Sequence, residues 1–310
     1  MTRRTPLLLA VVCLLLAGAC GLSRSGEEAV EQEAGGSYGA GLDLDVEDEG
    51  GGTGEGSARG AQSSTGSGDG DPAVETVKPI QGLAKSSGLA TPRDKSALGA
   101  NALMYLRNTT PELAIEINAV NGREPSPGAL SHLEAVLASV LDKPGGIDVL
   151  PVKTFTSSHS AYTESDVRRI EERERTEWST QDRAVIHVLY LNGSSVENPR
   201  GLGAAYRASS IVVYPEELED ATTAIVGRTA LERAVTVHEV GHLLGLVNIG
   251  YESPRDHEDP EHPGHSKNPD SVMYWAVETG AVATILGGPP PDDFDADDRA
   301  DLADRRTGKL

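Results

Sequence analysis

An α+β domain is predicted for residues 96–310, on three observations. Between residues 112 and 214 apolar side chains recur with period two in some segments and at helical spacing in others. A helix with apolar groups on all sides follows, beginning near Thr229. The remainder is broken by Pro289-Pro290-Pro291 before a last helical segment, which leaves a small, mostly irregular C-terminal subdomain. The length is right for one globular unit.

Taken in order, Glu112 to Val120 alternates, with Leu113, Ile115 and Ile117 on one face, and predicts a first strand. Ser126 to Leu141 carries Leu130, Leu133, Val136, Leu137, Val140 and Leu141 at helical spacing, and Ile147 to Phe155 reads as a second strand. Ser165 to Trp178, dense in Arg and Glu, is expected to be a helix with its charges exposed. Ala184 to Leu191 is a short apolar run of the kind that forms a central strand, and His187 within it has no motif around it, which favours a structural histidine. Gly201 to Tyr206 is expected as an edge strand and Ile211 to Tyr214 as another strand, stopped by Pro215. Asp295 to Arg305 predicts the final helix. Asp293, Asp295 and Asp297 only superficially resemble a calcium loop, because Asp298 stands where that loop needs Gly.

The chemistry concentrates between Thr229 and Trp275. Thr229 and Glu232 fit a capping box at a helix start. On that helix His238 and His242 are four residues apart and share one face, the arrangement that two ligands of a tetrahedral zinc ion require. Glu239, one step round, can reach a water beside the ion without ligating it and is the expected general base. A third ligand is needed. Asn248, three residues after Gly245, is a poor zinc partner, so His257, His262 and His265 are the candidates.

His238-Glu239-x-x-His242-x-x-Gly245, with Met273 further on, resembles the metzincin metalloproteases. The archaemetzincin branch follows its third His with Cys, four residues, Cys, one residue and Met. His265 to Met273 is similar in frame, with Ser266 and Ser271 in place of both Cys residues. The resemblance implies His265 as third ligand after an inserted loop, with His262 and His257 as alternatives. It also implies a mixed twisted sheet, Met273 in a methionine turn beneath one zinc ion, and an edge strand that pairs with an extended peptide. Tyr274, beside that turn, is a candidate for supporting the oxyanion. The branch's further Cys pair is missing, so a second zinc site is not carried over.

The N-terminus has a different character. Thr2-Arg3-Arg4, the apolar run Leu7 to Leu16, and Ala17-Gly18-Ala19-Cys20 read as an export signal over residues 1–19. Small residues before Cys20 are similar to a bacterial lipobox, in which the Cys is lipidated. The chain has only two Cys, and Cys13 lies within the signal, so Cys20 has no disulfide partner in the processed chain. Cleavage after Ala19 to give a secreted or periplasmic soluble form is the alternative. Residues 20–95, rich in Gly, Ser, Glu and Asp, bury too little apolar area to order and are expected to be an acidic tether. The net charge of −21 argues against nucleic acid as a partner and against adhesion to anionic lipid, which leaves the N-terminal lipid to attach the protein to a membrane.

The function expected is zinc-dependent endopeptidase action on a peptide or protein substrate outside the cytoplasm. The alternative is a non-catalytic or structural-zinc surface lipoprotein on the same scaffold. Retention of Glu239 disfavours it, since a structural site needs no base.

Overall fold

The computed structural model describes residues 93–310. The expected signal, Cys20 and almost all of the expected tether lie outside the described residues. Helix α1 (Ala102–Leu106) precedes strand β1 (Glu112–Val120), whose bounds match the sequence expectation. Helix α2 (Pro127–Val140) begins at Ser126, whose hydroxyl accepts from the Ala129 N–H, with Pro127 in the first turn where its missing N–H costs nothing. The strand expected over Ile147 to Phe155 is two strands, β2 (Gly146–Val149) and β3 (Lys153–Phe155), both parallel to β1. Pro151 lies in the break, and proline has no N–H to continue a ladder.

Strand β4 (Ala161–Tyr162) leads into helix α3 (Glu164–Glu174), which opens on a capping box between Thr163 and Asp166. This helix corrects one expectation. Glu171 is fully buried and pairs with Arg175 at 2.8 Å and Arg207 at 3.0 Å, so part of the charged face turns inward. Each of these buried charges is tolerated because it is paired. Strand β5 (Arg183–Tyr190) is followed by β6 (Ser194–Ser195), β7 (Gly203–Arg207) and β8 (Ser210–Val213). Helix α4 (Pro215–Asp220) then leads to the long helix α5 (Arg228–Leu243). Beyond it lie a 3₁₀ turn (Trp275–Glu278), helix α6 (Val282–Leu286) and helix α7 (Ala296–Thr307).

The six-stranded sheet has the order β2-β1-β5-β8-β7, with β3 alongside β1. Strands β1, β2, β3, β5 and β8 run parallel, and β7 lies antiparallel to β8 at the edge. Alternation decides which side each residue serves. Leu113, Ile115, Ile117, Ile186, Val188, Ile211 and Val213 face the large core with α2 and α5, whereas Leu189, Val212 and Tyr214 face a smaller one with α3. Helices therefore cover both faces, and the arrangement is mixed α/β, its antiparallel character confined to the β7–β8 edge. Central β5 is buried along nearly its whole length, and His187 within it meets Asn118 Oδ1 at 2.8 Å. Among the described residues no helix is long and apolar enough to cross a membrane.

Candidate metal centre

Helix α5 sets the site. Its start differs from the sequence expectation: Gly227 occupies the cap position without a side-chain cap. Glu232, expected to close a capping box with Thr229, instead accepts from the Ser126 N–H at 3.0 Å and ties α5 to the start of α2. Tertiary contact with a partly buried backbone donor outcompetes the local motif here. At the other end Gly245 takes a φ of +92°, a left-handed conformation that turns the chain out of the helix. A Cβ there would also collide with Arg305, whose guanidinium donates to the Leu244 carbonyl at 2.6 Å.

His238 and His242 are buried, and each holds its Nδ1 against a backbone carbonyl, Val272 O at 2.7 Å and Leu246 O at 2.9 Å. Those contacts fix Nδ1 as the protonated nitrogen and leave an Nε2 lone pair on each ring. The two Nε2 atoms face one another at 3.1 Å. Two lone pairs so close repel unless a proton or a cation lies between them. The separation is close to the edge of a zinc tetrahedron, about 3.3 Å for bonds of ~2.0 Å.

His265 completes the group. Its ring centroid lies 5.2 Å from that of His238 and 5.0 Å from that of His242, and neither of its buried ring nitrogens has a hydrogen-bond partner. It is held by short bridges, Glu258 with Ser266 and Ser266 with Tyr274, so the inserted loop is pinned to the segment after Met273. Asn248, where a third ligand would stand in the short-loop pattern, serves the loop instead. Its amide donates to Glu258 at 2.6 Å and accepts from the Ser253 N–H at 2.8 Å.

The alternatives are engaged elsewhere. His257 is buried with Nε2 3.0 Å from Asp301, and His262 stacks on Trp275 at 4.3 Å with Nδ1 2.9 Å from Asp259. Met273 is buried beneath α5, in the space that Gly241 leaves open: a Cβ on Gly241 would lie 2.3 Å from its sulfur. The Tyr274 ring packs beside Trp275, 5.7 Å away. Asp295 and Asp298 form the capping box of α7.

Glu239 is buried and neither carboxylate oxygen has a hydrogen-bond partner. Burial, reinforced by the charge of Glu278, pushes its carboxyl well above the ordinary range. Burial likewise holds His238 down to about 4 and His242 well below its usual value, with neighbouring imidazoles adding to the effect, so both rings stay neutral. Glu278 itself was absent from the sequence reasoning. Its carboxylate lies 3.8 Å from His238 Nε2 and 3.7 Å from His265 Nε2, and the four residues bring ligand atoms within 4.8 Å of one another. Burial opposes its ionisation, but His265 beside it outweighs that and holds the carboxyl below its ordinary range. No spacing rule connects it to the helix motif; only its position five residues after Met273 could have drawn notice.

The donor set fits a zinc ion. Three imidazoles converge, both ring nitrogens of His265 are buried without a hydrogen-bond partner, and carbonyls orient the other two rings.

No protein-family model matches the chain, and no curated protein sequence matches it. Among solved structures it is similar to an archaemetzincin from Methanopyrus kandleri, at 16% identity and a TM-score of 0.42 over 64% of this chain and 97% of that one. It is also similar to metalloproteinase-II from Bacteroides fragilis, at 16% identity and a TM-score of 0.36 over 64% of this chain and 54% of that one.

Proposed function

We propose that this chain is a zinc-dependent endopeptidase, tethered outside the cytoplasm by a lipid on Cys20, with His238, His242 and His265 as its metal ligands. The observation that carries the reading is the 3.1 Å approach of two Nε2 lone pairs, each ring fixed by a carbonyl on its other nitrogen. When bound, zinc polarises the scissile carbonyl and lowers the pKa of a water in the cleft towards ~7. Glu239 takes the proton from the attacking water and delivers it to the leaving amine. Its burial suits that task, because a desolvated carboxylate is a stronger base than a solvated one. Edge strand β7, beside α5, offers the unpaired backbone along which an extended peptide can lie. Tyr274 is the candidate second support for the oxyanion.

The test is Glu239→Gln. Peptide hydrolysis is expected to fall by about 100- to 10,000-fold, with zinc still bound at one per chain. Unchanged cleavage by the zinc-loaded variant would remove Glu239 as the base. A second reading, a structural zinc site on a non-catalytic surface lipoprotein, draws on Glu278, which brings a fourth potential ligand to the three imidazoles. It predicts no hydrolysis in the wild type.

A further inference from the structure

Three histidines leave a tetrahedral ion one position short, and a hydrolytic site keeps that position for water or substrate. In this protein a carboxylate lies beside two of the three imidazoles. Glu278 ends the 3₁₀ turn Trp275–Glu278 and directs one oxygen towards His238 Nε2, at 3.8 Å, and the other towards His265 Nε2, at 3.7 Å. Neither distance makes a hydrogen bond. Both are slightly above the ~3.3 Å edge of a zinc tetrahedron, as expected of ligands that close on an ion by a few tenths of an ångström. Glu239, by contrast, does not belong to the set of atoms that converge, although it lies on the same helix. The two carboxylates therefore divide the work by position.

The backbone of Glu278 is fixed, and its side chain is partly exposed. Its carbonyl accepts from the Leu202 N–H at 2.8 Å, Thr279 bridges Gly201, and the Gly280 N–H reaches Arg200 O at 2.8 Å. The segment leading into edge strand β7 thus holds the residue in place. The side chain is 28% exposed, so rotation about its own torsions can carry the carboxylate outward without moving the turn.

We infer that Glu278 is a fourth protein ligand in the resting state, closing the metal site until its carboxylate swings out to admit water and substrate. The inference rests on the metal reading proposed above and adds a built-in latch to it. The latch is pinned to the segment that leads directly into β7, the strand that would receive the peptide, which puts opening of the site next to the peptide's path.

The test uses the full chain with cobalt(II) in place of zinc and azide as the probe of an open position. Wild type is expected to give visible bands that azide does not change. Glu278→Gln, which keeps the shape, and Glu278→Ala are both expected to give bands that shift with azide. In chelator competition they should hold cobalt at least ~10-fold more weakly. Far-ultraviolet circular dichroism establishes that each variant is folded. Equal affinity and the same azide response in all three proteins would overturn the latch while leaving the metal site standing. A folded wild type that retains no cobalt would overturn the metal reading and the latch together.

Discussion

His265 illustrates how much one residue's role depends on neighbours distant in sequence. His257, His262 and His265 fall within nine residues and are chemically identical, yet their surroundings differ. His257 is engaged by Asp301, His262 by Trp275 and Asp259, and only His265 has both ring nitrogens without a partner. His265→Ala is accordingly expected to remove stoichiometric zinc, read by mass spectrometry of the purified protein, whereas His257→Ala and His262→Ala retain it. The reverse pattern would move the third ligand. A second residue-scale prediction concerns Asp298. Burial raises its carboxyl from 3.8 to about 6, aided by the charge of Asp295. Between those values the folded protein keeps a proton that the unfolded chain has lost, so stability is present below about pH 4 and declines as pH rises to about 6. The expected loss is on the order of 1–3 kcal/mol. Asp298→Asn still offers an oxygen to Ser271 and the Asp295 N–H, and its amide can donate to the orphaned His257 Nδ1. Urea titrations of the variant should show a flatter profile across that window; an unchanged slope would assign the effect to another group.

Among the elements, helix α5 matters most, and its sequence and its surroundings contribute different things. The four-residue spacing of its histidines puts them on one face in any α-helix. Its apolar sides suit a helix buried among α2, β7 and β8. Its cap does not follow the local motif, because Glu232 is drawn to the Ser126 N–H across the core. Gly241 is likewise understood only in context: helix propensity alone would favour Ala there by up to about 1 kcal/mol. A Cβ, however, would lie 2.3 Å from the Met273 sulfur and 3.1 Å from the Phe294 ring. Gly241→Ala is expected to cost a net ~1–2 kcal/mol, lowering the thermal midpoint by several degrees. Met273→Ala in the same chain should recover part of that loss. A variant as stable as wild type would show that Met273 does not press against the helix. The strand broken at Pro151 and the inward-facing Glu171 teach the same lesson: a run of one character in sequence becomes one element only if its backbone and charges find partners.

For the molecule as a whole, the net charge of −21 leaves little attraction to anionic membranes, so the membrane attachment proposed above would depend on a lipid at Cys20. A single acyl chain binds only marginally, so a stable anchor implies more than one chain on that residue. In cells the wild type should sediment with membranes and Cys20→Ser should appear in the soluble fraction. A soluble wild type would favour the secreted or periplasmic form. Sequence by itself determined the period-two and helical segments, the pairing of His238 with His242 and the neighbouring Glu239, because these depend on spacing along one element. It also held the frame from His265 to Met273, through the family resemblance. Tertiary structure alone decided that helices cover both faces of a largely parallel sheet, since strand partners are chosen across the chain. It alone placed the Val272 carbonyl behind the His238 ring, and it alone brought Glu278 to the site. Those contacts join residues 34 and 40 positions apart in the cases of Val272 and Glu278 with His238, and local periodicity extends over only a few turns.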